Sequence, residues 1–101
     1  MKSEIELRQT DRFIILYNLY KETSGRIEKH VDILNIAAKH DIKNGNYKEA
    51  YKYLVDEGYI KLSHQAHHAT ITHSGKKVVE TITTNPDEKI SNFPTFNDMH
   101  L

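Results

Sequence analysis

The sequence predicts an α+β fold in one domain: a three-helix bundle, a small antiparallel β-hairpin and a last helix. Three observations predict it. Residues 47–57 carry Tyr47, Ala50, Tyr51 and Leu54 at the spacing of a buried helical stripe and run into Gly58. Two short runs follow, Tyr59-Ile60-Lys61-Leu62 and Ala69-Thr70-Ile71-Thr72, with the apolar and β-branched residues that suit a pleated surface. Thr72 then precedes a second amphipathic stretch with Val78, Val79 and Ile82 on one side.

Each element can be justified in turn. Residues 1–10 are polar, with Ile5 and Leu7 their only apolar members after Met1. They read as a frayed terminus, the alternative being the first turns of helix one. Asp11 is a candidate cap for a helix from Arg12 to about Thr23. Phe13, Leu16, Tyr17 and Tyr20 share one face of it, and Ile15 and Leu19 widen that face past the usual stripe of about 100°. The wide face places this helix at the centre of the bundle, or pairs it with a second copy. Ser24-Gly25 stops the helix, and residues 26–30 are a candidate first strand with Ile27 inward. Asp32 caps a helix from Ile33 to about His40 with Ile33, Leu34, Ile36 and Ala37 inward. The Asn- and Gly-rich segment 41–46 is then a turn.

Gly58 stands where a left-handed C-cap is expected. Gly75 is a poor helix former, and its place near the start of the last helix predicts close backbone packing. Asn85-Pro86 ends that helix. The domain therefore covers residues 1–84. Residues 85–101 form a C-terminal arm or linker in which Ile90, Phe93, Phe96, Met99 and Leu101 alternate with polar residues, with aromatics that dock on something.

Leu54, Asp56, Glu57, Gly58, Tyr59 and Ile60, followed by Ile71, Thr72 and Gly75, resemble the pattern "L-x-x-x-G-hydrophobic-I … I-T-x-x-G" of winged helix-turn-helix domains in bacterial and archaeal regulators. The likeness covers roughly residues 11–84. It implies a helix-turn-helix formed by helices 33–40 and 47–57, a wing between the two strands, and major-groove recognition by helix 47–57. It also implies a homodimer, since such regulators pair to read two half-sites. The segment after residue 85 resembles the one that follows N-terminal winged-helix modules of larger bacterial proteins, which leaves open a following domain or a stand-alone adaptor.

Composition narrows the function. Lys+Arg and Asp+Glu each total 14, so the formal net charge is +0, without the basic excess of a domain that lives on phosphate backbones. There is no cysteine, hence no disulfide framework and no thiolate metal site. The opening residues lack the apolar core of a signal peptide, and no apolar run approaches membrane-spanning length. A soluble, cytoplasmic protein without membrane contact is expected. No nucleophile elbow, Walker-type glycine loop or H-E-x-x-H is present, and Asp56-Glu57, being adjacent on a helix, do not face one point. No enzyme activity and no cofactor are expected.

The candidate nucleic-acid-binding residues are Asn44, Asn46, Lys48, Lys52 and Tyr53 on or beside helix 47–57, Lys43 in the turn before it, and His67 and His68 in the wing. Asparagine can read adenine, and lysine can meet guanine or phosphate. Glu49 and Asp56 on the same face would repel phosphate, and Lys52 and Asp56 are spaced to pair with each other. Tyr53 reads as the outward tyrosine. His64, His67, His68 and His73 fall within ten residues, but their spacing matches no zinc signature. A polar wing tip that happens to use histidine is the plainer reading, and a wing whose phosphate affinity rises in acid the sharper one. The leading expectation is a small DNA-binding transcriptional regulator acting on double-stranded DNA. The alternative is a non-catalytic protein-interaction module that presents helix one, Tyr53 or residues 90–101 to a protein partner.

Overall fold

The computed structural model describes residues 3–99. Met1, Lys2, His100 and Leu101 lie outside them, and with them the expectation for Leu101. The element order is α1 (Glu4–Thr23), β1 (Val31–Asp32), α2 (Ile33–Lys39), α3 (Asn44–Asp56), β2 (Ile60–Leu62), β3 (His68–Ile71), α4 (His73–Thr84) and α5 (Phe96–Met99). Among the described residues this is an α+β fold of five helices and one three-stranded antiparallel sheet, compatible with a winged helix. β3 is the middle strand: it pairs Val31 with Ala69 on one side and Ile60 with Ile71 on the other.

α1 is the central helix and packs against α2, α3 and α4. Phe13, Ile15, Leu16 and Leu19 are fully buried along it, so its wide apolar face serves several neighbours of the same chain. The helix starts earlier than expected. Ser3, not Asp11, is its cap, accepting from the Glu6 amide at 3.2 Å, and Glu4 and Glu6 in the first turn complement the positive end of the helix. Residues 4–10 are therefore helix rather than frayed terminus. Asp11 sits mid-helix, where burial pushes its carboxyl above the usual range.

The expected strand over 26–30 is absent. Ser24 and Gly25 both take left-handed backbone (φ 53° and 73°), and the chain turns through 26–30 with Ile27 exposed. Only Val31 and Asp32 reach β3. Asp32 does cap α2, accepting from the Leu34 and Asn35 amides. The turn to α3 is shorter than 41–46. Asp41 adopts φ 57°, a conformation short polar side chains tolerate, and Ile42 plugs the core. α3 then begins at Asn44, leaving four residues, 40–43, between the two helices, the length of a tight helix-turn-helix connection.

The junction of α3, β2 and α4 is tied by backbone. Gly58 has φ 76°, and the Tyr59 amide donates to the Leu54 carbonyl. The Tyr59 carbonyl accepts from the Thr72 amide at 3.1 Å, while the Thr72 hydroxyl donates to the Gly58 carbonyl and accepts from the Gly75 amide. Gly75 is pressed against this knot.

The C-terminal segment folds back on its own domain. Phe93 is 0% exposed, edge-on to Phe13 and Tyr53, and Phe96 packs edge-on to Phe13 and Tyr17. Met99 is also buried, and the Asn97 amide donates to the Pro86 carbonyl. The aromatics of residues 90–99 do dock, and what they dock on is chiefly α1 and α3.

Candidate nucleic-acid interface

α3 buries Tyr47, Ala50 and Leu54. The opposite side carries Asn44, Gly45, Asn46, Lys48 and Lys52, all exposed. Lys43 precedes them as the N-cap residue, exposed and making no side-chain cap bond. α1, α2 and α4 are each capped by a side chain, Ser3, Asp32 and Thr72. α3 has no such cap and no acidic residue in its first turn. Its first amides, next to Lys43, are thus left for solvent or for an anion. Gly45 adds to this: a Cβ there would meet nothing within 4 Å. No packing reason for glycine exists at this exposed position, whereas absence of a side chain lets a ligand approach the backbone closely. Gly45→Ala is expected to raise stability by up to about 1 kcal/mol, the helix-propensity difference, while weakening any ligand that approaches this backbone. A melt and a binding curve on the same variant check both signs.

The two acids that counted against this face are placed apart from it. Glu49 turns to α1, where its carboxylate lies 3.3 Å from Arg8 Nη1, and Arg8 also holds Glu4 at 2.7 Å. Asp56 is at the far end of α3, and among the described residues Lys52 and Asp56 form no ion pair. Lys39, Lys43, Lys48 and Lys52 are all exposed, and among the described residues none is neutralised by a carboxylate. Three exposed lysines, Lys43, Lys48 and Lys52, thus stand on or beside α3 within a chain of zero net charge, while Lys39 lies toward Glu22 of α1.

Tyr53 is a correction. It is not outward: the Arg12 guanidinium lies 3.8 Å from its ring centroid and Phe93 packs edge-on against it. Burial, then Glu57 nearby, raises its phenol. It stands on the α1 flank with Glu49, away from the lysines. Sequence spacing could not reveal this, because the residue covering Tyr53 comes from position 93.

The wing turn, residues 63–67, joins β2 and β3. His67 is exposed with φ 62°, and its carbonyl accepts from the first amide of α2, that of Ile33, at 2.8 Å. Its ring lies beside Tyr47, centroids 5.7 Å apart, and Tyr47 in turn lies against Tyr51 at 4.9 Å. The structure thus places His67 against Tyr47, on the buried side of α3, next to the helix rather than on its exposed lysine face. His68 opens β3 and is half-buried. Tyr47 is the residue that sequence reasoning placed in the core without a further role. Its hydroxyl reaches His67 Nδ1 at 2.9 Å, and no motif signals that contact. Among the described residues no group of three or more His, Cys, Asp or Glu is placed to hold a metal ion, and no helix is long and apolar enough to cross a membrane.

Comparison of the chain with protein-family models, with curated proteins and with solved structures finds no match.

Proposed function

We propose that this chain is a winged-helix DNA-binding protein that lays α3 in the major groove of double-stranded DNA and sets its wing against the backbone. The observation that carries this reading is the uncapped N-terminus of α3 beside exposed Lys43, Lys48 and Lys52, with Glu49 drawn off to Arg8. An exposed helix N-terminus with unpaired lysines suits phosphate, and Asn44 and Asn46 in the first turn suit adenine edges. A role as a homodimeric transcriptional regulator follows from the usual employment of the fold.

Lys48→Ala combined with Lys52→Ala is expected to weaken duplex binding and to flatten its salt dependence. The slope of log K against log salt falls by about 0.9 for each phosphate contact removed. An unchanged slope means that α3 is not the docking face.

A second reading, a protein-interaction module, is favoured by Ile5 and Leu7. They are 67% and 52% exposed on the first turns of α1, outside the core. Ile5→Lys with Leu7→Lys separates the readings: a partner complex or a dimer held there dissociates in light scattering, while DNA contact through α3 is untouched.

A further inference from the structure

Two adjacent histidines at the end of the wing are held by hydrogen bonds of opposite sense. Tyr47 is 2% exposed, and among the described residues His67 Nδ1, at 2.9 Å, is the acceptor within reach of its hydroxyl. A buried hydroxyl that donates to nothing carries its full desolvation cost, so this one donates. It also keeps its proton: burial first, then Tyr51 and Asp32, pushes the phenol up to about 12. With Nδ1 accepting, neutral His67 holds its hydrogen on Nε2. Among the described residues nothing bonds that second nitrogen, and the residue is exposed.

His68 is arranged the other way. Its Nδ1 lies 3.0 Å from the Ala66 carbonyl oxygen, which can only accept. Nδ1 therefore carries the hydrogen, and Nε2 of neutral His68 is a bare acceptor, the wrong polarity for a phosphate oxygen. The His67 backbone is fixed as well, since its carbonyl is clamped by the Ile33 amide. The other titratable groups around the pair are Tyr51, on α3, and Asp32, which lies opposite His68 in the β1–β3 register.

We propose that neutral His67 is the wing's donor to a backbone phosphate of duplex DNA through Nε2–H, that Tyr47 is the positioning residue that fixes this tautomer, and that His68 makes no such contact. The assignment rests on the DNA-binding reading above. It gives Tyr47 a part in binding although its side chain is buried and touches no DNA.

The test pairs long-range ¹H–¹⁵N spectra of the imidazoles with duplex anisotropy at pH 8, above the ordinary imidazole range of about 6.5. In the wild type, His67 shows the Nε2–H pattern and His68 the Nδ1–H pattern. Tyr47→Phe keeps the ring against Tyr51 and removes the donor. His67 then becomes a tautomer mixture and affinity falls by up to about twofold, because only the Nε2–H fraction can donate. His67→Gly, which accepts the positive φ at no steric cost, loses the whole contact, about three- to tenfold, and the double variant loses no more than His67→Gly alone. His68→Ala stays at wild-type affinity. A loss in His68→Ala equal to that in His67→Gly overturns the proposal, as does a Tyr47→Phe protein with wild-type tautomer and affinity. Absence of duplex binding by the wild type, with the two tautomers as stated, overturns the phosphate role through failure of the DNA reading. A wild-type His67 carrying its hydrogen on Nδ1 overturns the part played by Tyr47 alone.

Discussion

A Gly75→Ala protein is expected to melt far below the wild type. An added Cβ falls on the Tyr59 carbonyl oxygen and comes within 2.9 Å of Ile71 Cγ1. Neither can yield cheaply. The Tyr59 carbonyl already accepts from the Thr72 amide, and Ile71 is 1% exposed in the middle strand. The methyl would have to push α4 off the knot that joins it to α3 and β2. Overpacking that forces backbone to move costs about 3 kcal/mol. In a domain of this size each kcal/mol lowers Tm by about 4–8 °C. Thermal denaturation followed by circular dichroism measures it, and a curve that overlays the wild type would mean that α4 does not approach Tyr59 as described.

Phe93→Ala is expected to cost as much or more, about 3–5 kcal/mol for a fully buried phenylalanine. The ring lies between Phe13 of α1, Tyr53 of α3 and Tyr59, so its loss opens a cavity where the C-terminal segment meets the bundle. Tyr53 would be uncovered on that side, and the Lys89 ammonium, which donates to the Phe93 carbonyl, would lose an ordered partner. A cooperative melt at much lower temperature is the expected result. Wild-type stability in this variant would show that the segment is not part of the folded unit.

These two positions mark how far the sequence could be read. Gly75 was legible because a glycine inside an amphipathic helix needs a packing reason, and the motif containing Gly58, Ile60, Thr72 and Gly75 encodes one backbone knot. Asp32 and Thr72 were legible as caps because their acceptors act within three residues. Tyr47, Ala50 and Leu54 were legible from helical period alone. Phe93 was not, because nothing local says which surface an aromatic in an aperiodic segment will meet. The same limit moved Tyr53 from outward to covered. At the start of α1 the alternative reading of residues 1–10, the first turns of helix one, is the one the structure has, and its local signal is Ser3 with Glu6 three residues later as in a capping box. Strand β1 was displaced because Ile27 looked inward by composition, while the left-handed Ser24-Gly25 turn sends it to solvent. On the candidate site, the exposed lysines and asparagines of α3 were visible in the sequence. The Glu49–Arg8 ion pair and the Tyr47–His67 hydrogen bond join residues 41 and 20 positions apart, and only the fold displays them.

On the proposed function, α3 and the wing contact phosphate in spite of zero net charge. Fluorescence anisotropy of a labelled mixed-sequence duplex, titrated with the wild-type chain at about 50 and 200 mM salt, decides this. If Lys43, Lys48 and Lys52 each meet a phosphate, affinity falls roughly fortyfold between those salt concentrations, from a slope of about 0.9 per contact. No binding at the lower salt even at high protein concentration, or binding that ignores salt, would contradict the claim and transfer the case to the protein-interaction reading.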